Sequence, residues 1–206
     1  MYLDVFSDNS FETNCWLIGV DGTEEAVVVD PGFSPGLVHR MLETEGRRPV
    51  AVLATHGHFD HIGSAAEFCG DDVPFYIHEG DLLALTDPDG WGSGMTGTPA
   101  VPVKDVRTVQ DGDELTFAGF RIEVIHTPGH TPGSVCYRTD GWVLSGDLVF
   151  AGSIGRSDFR NSSPPDMERS LRRFLELPDP MEVYPGHGPR TSVGRERERN
   201  PFLLEL

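Results

Sequence analysis

The sequence predicts an α+β fold in which two β-sheets pack together with helices outside. Two observations carry this reading. Short apolar, β-branched runs followed by helical periodicity occur in the first half of the chain and again in the second. Residues able to ligate a metal then fall just beyond strand ends, where the loops of a layered sheet architecture converge on one rim. The 206 residues suffice for one large domain with a substantial core, and nothing in them demands a second.

Taken in order, residues 2–6, 14–20 and 26–30 read as strands of an N-terminal meander, with Asp21-Gly22 as a turn signal. Val27-Val28-Val29 is continuously apolar, as in a strand covered on both faces, and it ends at Asp30-Pro31-Gly32. Asp before Pro-Gly commonly starts a turn, which is the expected role of Asp30; the alternative is a side chain aimed at the His-rich loop that follows. From Pro35 to Glu45, residues Leu37, Val38, Met41 and Leu42 share one helical face, with Ser34 placed to cap and His39 off the stripe and exposed. Val50–Ala54 is a buried strand. Beyond the His-rich loop come a helix over 62–68, a strand over 73–77 and a helix over 79–85, with His78 as a terminal polar residue. Residues 86–104, rich in Gly and Pro, have no periodicity; a loop of this length is a functional lid or a mobile insertion, and Trp91 with Met95 offers apolar cover for a ligand. Strands follow over 106–109, 114–117, 120–125, 135–137 and 142–144, with turns at Asp111-Gly112, Ala118-Gly119 and Asp140-Gly141. A helix over 166–176, a strand over 181–184 and a helix over 192–199 complete the chain. The alternating Arg195-Glu196-Arg197-Glu198-Arg199 run reads as a solvated helix face.

Composition bounds the partners. A net charge of −17 repels phosphate backbones, so nucleic acid is not expected. No run approaches the roughly 18 apolar residues of a membrane span, and the first residues lack a secretory pattern, so a cytoplasmic protein without membrane contact is expected. Cys15, Cys69 and Cys136 are odd in number and widely spaced, as reduced thiols are. Lys104 is the only lysine among 16 basic residues, a coding or salt-adaptation signature and not a chemical one. Oligomeric state is open at this level.

The chemistry concentrates in Thr55-His56-Gly57-His58-Phe59-Asp60-His61, just after the strand at 50–54. A turn can fold His56, His58, Asp60 and His61 around one point, whereas a strand would split them between two faces. Imidazole and carboxylate both suit zinc, and one such loop has donors for two ions. Three later residues complete a two-metal inventory, each beyond a strand: His130 in a Pro/Gly turn, Asp147 in Ser145-Gly146-Asp147, and His187 in Tyr184-Pro185-Gly186-His187-Gly188. His126 lies one strand residue too early and is expected to be structural or to support a ligand.

With these motifs in family order, together with Val28-Val29-Asp30-Pro31-Gly32 and Gly155-Arg156-Ser157-Asp158-Phe159, the whole chain resembles the metallo-β-lactamase-fold hydrolases, and among them the glyoxalase II-like branch. The resemblance implies a four-layer αββα sandwich, a single domain over residues 1–206, with the site at one edge of the sheets. It assigns His56, His58 and His130 to one divalent ion, Asp60, His61 and His187 to a second, and Asp147 to the position between them. Zinc is the first expectation, iron or manganese the alternatives. It further implies a thioesterase acting on small-molecule acyl thioesters through a metal-bound hydroxide that Asp60 orients; a thiolate leaving group, with a thiol pKa near 8.5, needs little acid assistance. Arg156 and Trp91 are the expected substrate-binding residues, Arg156 through a carboxylate or, equally, as a clasp on Asp158. Glutathione-specific relatives carry a C-terminal helical domain, which is not expected in this chain, and tyrosines where Asp158 and Pro189 stand here. Two alternatives share the fold: a lactonase, and a mononuclear iron persulfide dioxygenase, whose cysteine before the Gly-Arg segment is matched here by Ile154.

Overall fold

The computed structural model describes residues 2–7, 11–87, 91–92, 102–117 and 119–206. Most of the 86–104 loop, including Met95, and the first residue of the Ala118-Gly119 turn therefore lie outside the described residues.

The first sheet contains β1 (Tyr2–Ser7), β2 (Asn14–Gly19), β3 (Glu25–Val29), β4 (Arg48–Leu53), β5 (Phe75–His78) and β6 (Val106–Val109), in that spatial order. β1 to β3 are antiparallel, and β3 to β6 run parallel. Parallel neighbours need a crossover. Helix α1 (Pro35–Thr44) supplies the one between β3 and β4, and the short helices α2 (Phe59–Ile62) and α3 (Ala65–Phe68) lie between β4 and β5. The second sheet is formed by β7 (Glu114–Phe117), β8 (Phe120–His126), β9 (Val135–Arg138), β10 (Trp142–Gly146), β13 (Glu182–Pro185) and β14 (Thr191–Ser192), in spatial order β14-β13-β10-β9-β8-β7. Between β10 and β13 the chain forms a hairpin, β11 (Val149–Phe150) with β12 (Ser153–Ile154), then helix α4 (Pro164–Phe174); α5 (Val193–Arg199) follows β14.

Burial sorts into three layers. Trp16, Val27, Val29, Leu53, Val124, Tyr137 and Leu144 fill the space between the sheets. Val28, Val38, Met41, Leu42, Val52 and Phe75 pack the outer face of the first sheet against α1 and α3. Val143, Met167, Leu171, Phe174 and Val183 do the same for the second sheet and α4. The three consecutive valines thus divide between two cores, which explains an uninterrupted apolar run in one strand. The Tyr137 hydroxyl donates to Ala54 O at 2.8 Å across the sheets, close to the end of β4.

Several sequence expectations change in detail. Ser34 makes no side-chain cap, although Pro35 does open α1. The helix expected over 62–68 is two short helices, broken at Gly63-Ser64, because the Ser64 hydroxyl turns back to Pro31 O and Gly32 O at 2.9 Å each. Residues Glu79–Leu85 form a 3₁₀ helix capped by His78, which accepts from Gly80 N. The alternating-charge run is not wholly solvated: Glu196 is 1 % exposed and accepts from Gly152 N, Thr191 Oγ1 and Asn200 Nδ2. Among the described residues, no helix is long and apolar enough to cross a membrane.

Candidate metal centre

All seven residues expected from the sequence to ligate metal come together at one rim of the sandwich, and each arrives from beyond a strand end. His56 and His58 leave β4, with Asp60 and His61 in the turn of α2; His130 follows β8, Asp147 follows β10, and His187 follows β13. Their ligating atoms form overlapping groups: His56, His58 and His130; Asp60, His61 and His187; and His56, His61 and Asp147, each mutually within 4.8 Å. Asp147 sits between the first two, with Oδ1 at 3.5 Å from His61 Nε2 and Oδ2 at 3.4 Å from His130 Nε2 and 3.5 Å from His187 Nε2. Gly186 permits this approach: a Cβ there would run into Asp147 Oδ1 and meet His61 Cε1 at 2.8 Å.

The far sides of the imidazoles decide which nitrogens face inward. His130 Nδ1 donates to Arg156 O at 2.7 Å, His187 Nδ1 to Phe11 O at 3.1 Å, and His61 Nδ1 to Asp30 Oδ2 at 2.9 Å. A neutral ring that donates from Nδ1 carries a lone pair on Nε2. The inward atoms are then crowded acceptors: His58 Nδ1 lies 2.8 Å from His130 Nε2, and His61 Nε2 lies 3.3 Å from His187 Nε2. Among the described residues, the buried Nε2 of His56 and Oδ1 of Asp147 have no hydrogen-bond partner. Facing lone pairs and orphaned acceptors in a buried cluster call for a cation or for protons. Ligands about 2.0–2.1 Å from a tetrahedral ion lie ~3.3–3.4 Å apart, close to the 3.3–3.5 Å separations around Asp60, His61, His187 and Asp147. The donor set, imidazole with carboxylate, fits zinc or iron.

Without a metal, the two halves hold protons differently. Burial, then the neighbouring imidazoles, pushes His56 well below the usual imidazole range; burial and His130 take His58 down to about 3. At the other half burial opposes charging of His61, but Asp60, Asp147 and Asp30 outweigh it and raise the ring to about 9. His187 rises to about 11, with burial overcome by its contacts to Asp147 and Asp60. Burial would raise both carboxylates, yet His61 leads a set of imidazoles that holds Asp147 at about 2 and Asp60 well below the usual range. His56 and His58 are thus neutral rings, whereas Asp60, His61, Asp147 and His187 form an ion-paired set whose protons a cation would replace.

Supporting contacts account for residues that the sequence left undistinguished. Asp30 adopts the turn expected of it, with a left-handed φ of 51°, and its side chain also points inward. It accepts from Thr55 N and Thr55 Oγ1 at 2.7 Å each, besides its contact with His61. The Thr13 hydroxyl donates to Asp60 Oδ2 at 2.8 Å. Asp81, on the 3₁₀ helix and wholly buried, accepts from Gly57 N at 2.8 Å, Gly133 N at 2.6 Å and Thr131 Oγ1 at 2.6 Å, so it ties the His56–His61 loop to the His130 loop. No local sequence signal marks Asp81, since its partners are remote in the chain. His126 supports no ligand directly; it bonds Pro132 O and stacks on His78 at 3.9 Å.

The centre opens into a cleft of about 560 Å³, with apolar walls that include Phe11, Trp91, Phe150, Ile154 and Phe159. Trp91 is 7 % exposed, with its ring 6.0 Å from that of His58. Arg156 reaches the same cleft but is held in the clasp: Nε and Nη2 donate to Asp158 Oδ1 and Oδ2 at 2.8 and 3.0 Å, and its guanidinium lies 4.3 Å from the Phe159 ring centroid. Phe159 in turn edges onto His58 and His130, with centroids at 5.4 and 5.8 Å.

Two layers of sheet between helices, with a His/Asp metal-binding cluster at one rim, define the class of metallo-hydrolases. The chain belongs to the metallo-beta-lactamase superfamily, whose profile matches residues 9–187. Among its relatives, an uncharacterized protein of Mycobacterium leprae (strain TN) is 39% identical over 100% of both chains. The hydroxyacylglutathione hydrolase GloC of Haemophilus influenzae is 30% identical over 98% of each, which supports the glyoxalase II-like branch. Among solved structures, the BLEG-1 B3 metallo-beta-lactamase superposes with a TM-score of 0.89 at 36% identity, over 98% of this chain and 99% of that one. TTHA1623 in a di-iron-bound form gives 0.85 at 36% identity, over 97% and 100%. ETHE1 of Myxococcus xanthus gives 0.80 at 27% identity, over 100% and 85%.

Proposed function

We propose that this protein is a dinuclear metal-dependent hydrolase of the glyoxalase II type that cleaves small acyl thioesters. The observation that carries the reading is the convergence of seven ligands into two groups that share Asp147 and face one cleft. His56, His58 and His130 would hold one ion, Asp60, His61 and His187 the other, and Asp147 both. Bound there, divalent ions supply water of lowered pKa and polarise a carbonyl. The chain's own residues do the rest. Thr13 fixes Asp60 Oδ2, so the Asp60 carboxylate can orient the attacking water. Asp30, Arg156 O and Phe11 O lock the His61, His130 and His187 rings, leaving little reorganisation for the reaction itself. Phe11, Trp91, Phe150 and Phe159 bury the apolar part of the substrate and thin out bulk water. Among the described residues, no acidic side chain stands out as a proton donor to the leaving group, which a thiolate scarcely needs.

The 30% identity to GloC supports thioester chemistry. The likeness to ETHE1 supports a second reading, the mononuclear iron persulfide dioxygenase. Zinc-loaded and iron-loaded protein, each assayed on an acyl thioester, a lactone, a β-lactam and a persulfide with oxygen uptake recorded, separates these. Thioester cleavage without oxygen consumption is the expected result; oxygen consumption on persulfide, or lactone cleavage without thioesterase activity, would overturn the reading.

A further inference from the structure

Arg156 is the arginine that sequence reasoning places on the substrate, yet its fork is bidentate on Asp158 and its plane lies over Phe159. The same cleft is lined by a second arginine. Arg160 is exposed and has no hydrogen bond or ion pair to any other described residue. Its neighbour Asn161 also lines the cleft, and its Nδ2 is buried without a partner among the described residues. A buried donor left unpaired is costly, and the cost is relieved when a ligand supplies the acceptor.

Both residues are held at a fixed place relative to the metal ligands. On their N-terminal side Phe159 packs on His58 and His130. On their C-terminal side Ser162 Oγ donates to His130 O at 2.7 Å, Ser162 N to Phe159 O at 3.1 Å, and Ser163 N to Gly129 O at 2.8 Å. The two-residue tip is therefore pinned to the His130 loop, with the side chains of Arg160 and Asn161 both on the cleft wall. In a chain of net charge −17, whose overall field repels anions, capture of an anionic substrate depends on such local donors. A planar guanidinium with an adjacent amide N–H matches a carboxylate.

We propose that Arg160 and Asn161 form the specificity site for a substrate carboxylate, while Arg156 serves as a clasp that sets Phe159. For the reacting end of the substrate this rests on the thioesterase reading; for recognition it stands on the cleft alone.

The test uses metal-loaded protein and two matched pairs of probes. The first pair is S-acetyl-3-mercaptopropionate and its carboxamide, followed by steady-state kinetics. The second is 3-(benzylthio)propanoate and its carboxamide, thioethers that cannot be hydrolysed, followed by calorimetric titration. Wild type is expected to prefer the carboxylate at least about 10-fold in kcat/KM and in Kd. Arg160→Gln is expected to abolish that preference, mainly through KM, Asn161→Ala to reduce it, and Arg156→Gln to leave the ratio in place whatever it does to the overall rate. A preference that survives Arg160→Gln, as it would if the ions alone held the carboxylate, overturns the proposal, as does a preference lost in Arg156→Gln instead. Turnover of both thioesters with no preference also overturns it and leaves the thioesterase reading intact. Arg160-dependent binding of the thioether carboxylate without turnover of either thioester sustains the recognition site and sinks the thioesterase reading. Absence of any carboxylate preference in the titrations overturns the recognition site even if the chemistry fails too.

Discussion

Replacing Asp81 with alanine tests whether the metal loops are set by a buried carboxylate outside the cleft. The substitution removes the acceptors of Gly57 N, Gly133 N and Thr131 Oγ1. Gly57 and Gly133 lie in buried turns, so water cannot readily replace what they lose. Thr131 Oγ1 keeps Ser134 Oγ at 2.8 Å. Each buried N–H left unpaired costs roughly 1–3 kcal/mol. Part of this is offset, because burial pushes the Asp81 carboxyl up against its donors, so removing it also removes a desolvated charge. A net loss of ~3 kcal/mol follows, and at roughly 2–4 °C per kcal/mol for a chain of this size Tm falls by ~6–12 °C. The His56–His61 and His130 loops lose their common tie, so zinc affinity is expected to fall about 10-fold, at the lower end of what loss of a ligand-supporting contact does. Calorimetric melting gives the first quantity, and titration of metal-free protein against a chromophoric zinc chelator the second. Melting within ~2 °C of wild type, with zinc affinity unaltered, would refute the assignment of Asp81 as the tie.

Other expectations follow from the same geometry. Zinc reconstitution should give two ions per chain by elemental analysis, with His58→Ala depleting one and Asp147→Ala weakening both; one ion at saturating zinc would contradict the shared ligand. Metal must displace protons from His61 and His187, raised to about 9 and 11, but not from His58, near 3. Affinity at the Asp60–His61–His187 half should therefore fall as pH drops, by up to roughly tenfold per unit for each proton displaced. The other half should keep its ion to lower pH, and equilibrium dialysis from pH 8 to 5 that shows both lost together would count against this. Trp91→Ala should raise KM or lower kcat/KM several-fold with metal content unchanged, since Trp91 walls the cleft and ligates nothing. Unaltered kinetics across several thioesters would remove it from the site.

Much of this was legible because the chemistry is dense and local. His56, His58, Asp60 and His61 sit in one turn after an apolar strand, and His130, Asp147 and His187 each stand beyond another, so strand ends alone suggest a common rim. The valines at 27–29 likewise announce a strand buried on both faces. What stayed hidden depends on contacts between remote segments. Asp30 carries a turn signal that is correct for its backbone and silent about its side chain. Asp81 reads as one acidic residue in a helical stretch, though its partners are Gly57, 24 positions before it, and Thr131 and Gly133, 50 and 52 positions after it. Glu196 sits in a run whose alternating charge describes an exposed face, yet Gly152, Thr191 and Asn200 enclose it. Arg156 and Arg160 are equivalent in charge pattern; only the position of Asp158 separates a clasped guanidinium from one with no partner among the described residues.

The most direct measurement is turnover of a small acyl thioester by protein loaded with zinc to saturation, with thiol release and oxygen consumption followed in the same cell. Stoichiometric release of thiol and acid, with no oxygen uptake and with the rate falling at least ~100-fold in Asp60→Asn, is the result expected of two adjacent ions served by an orienting carboxylate. Protein that carries two ions yet releases no thiol, or iron-loaded protein that consumes oxygen on a persulfide while leaving the thioester intact, would contradict it.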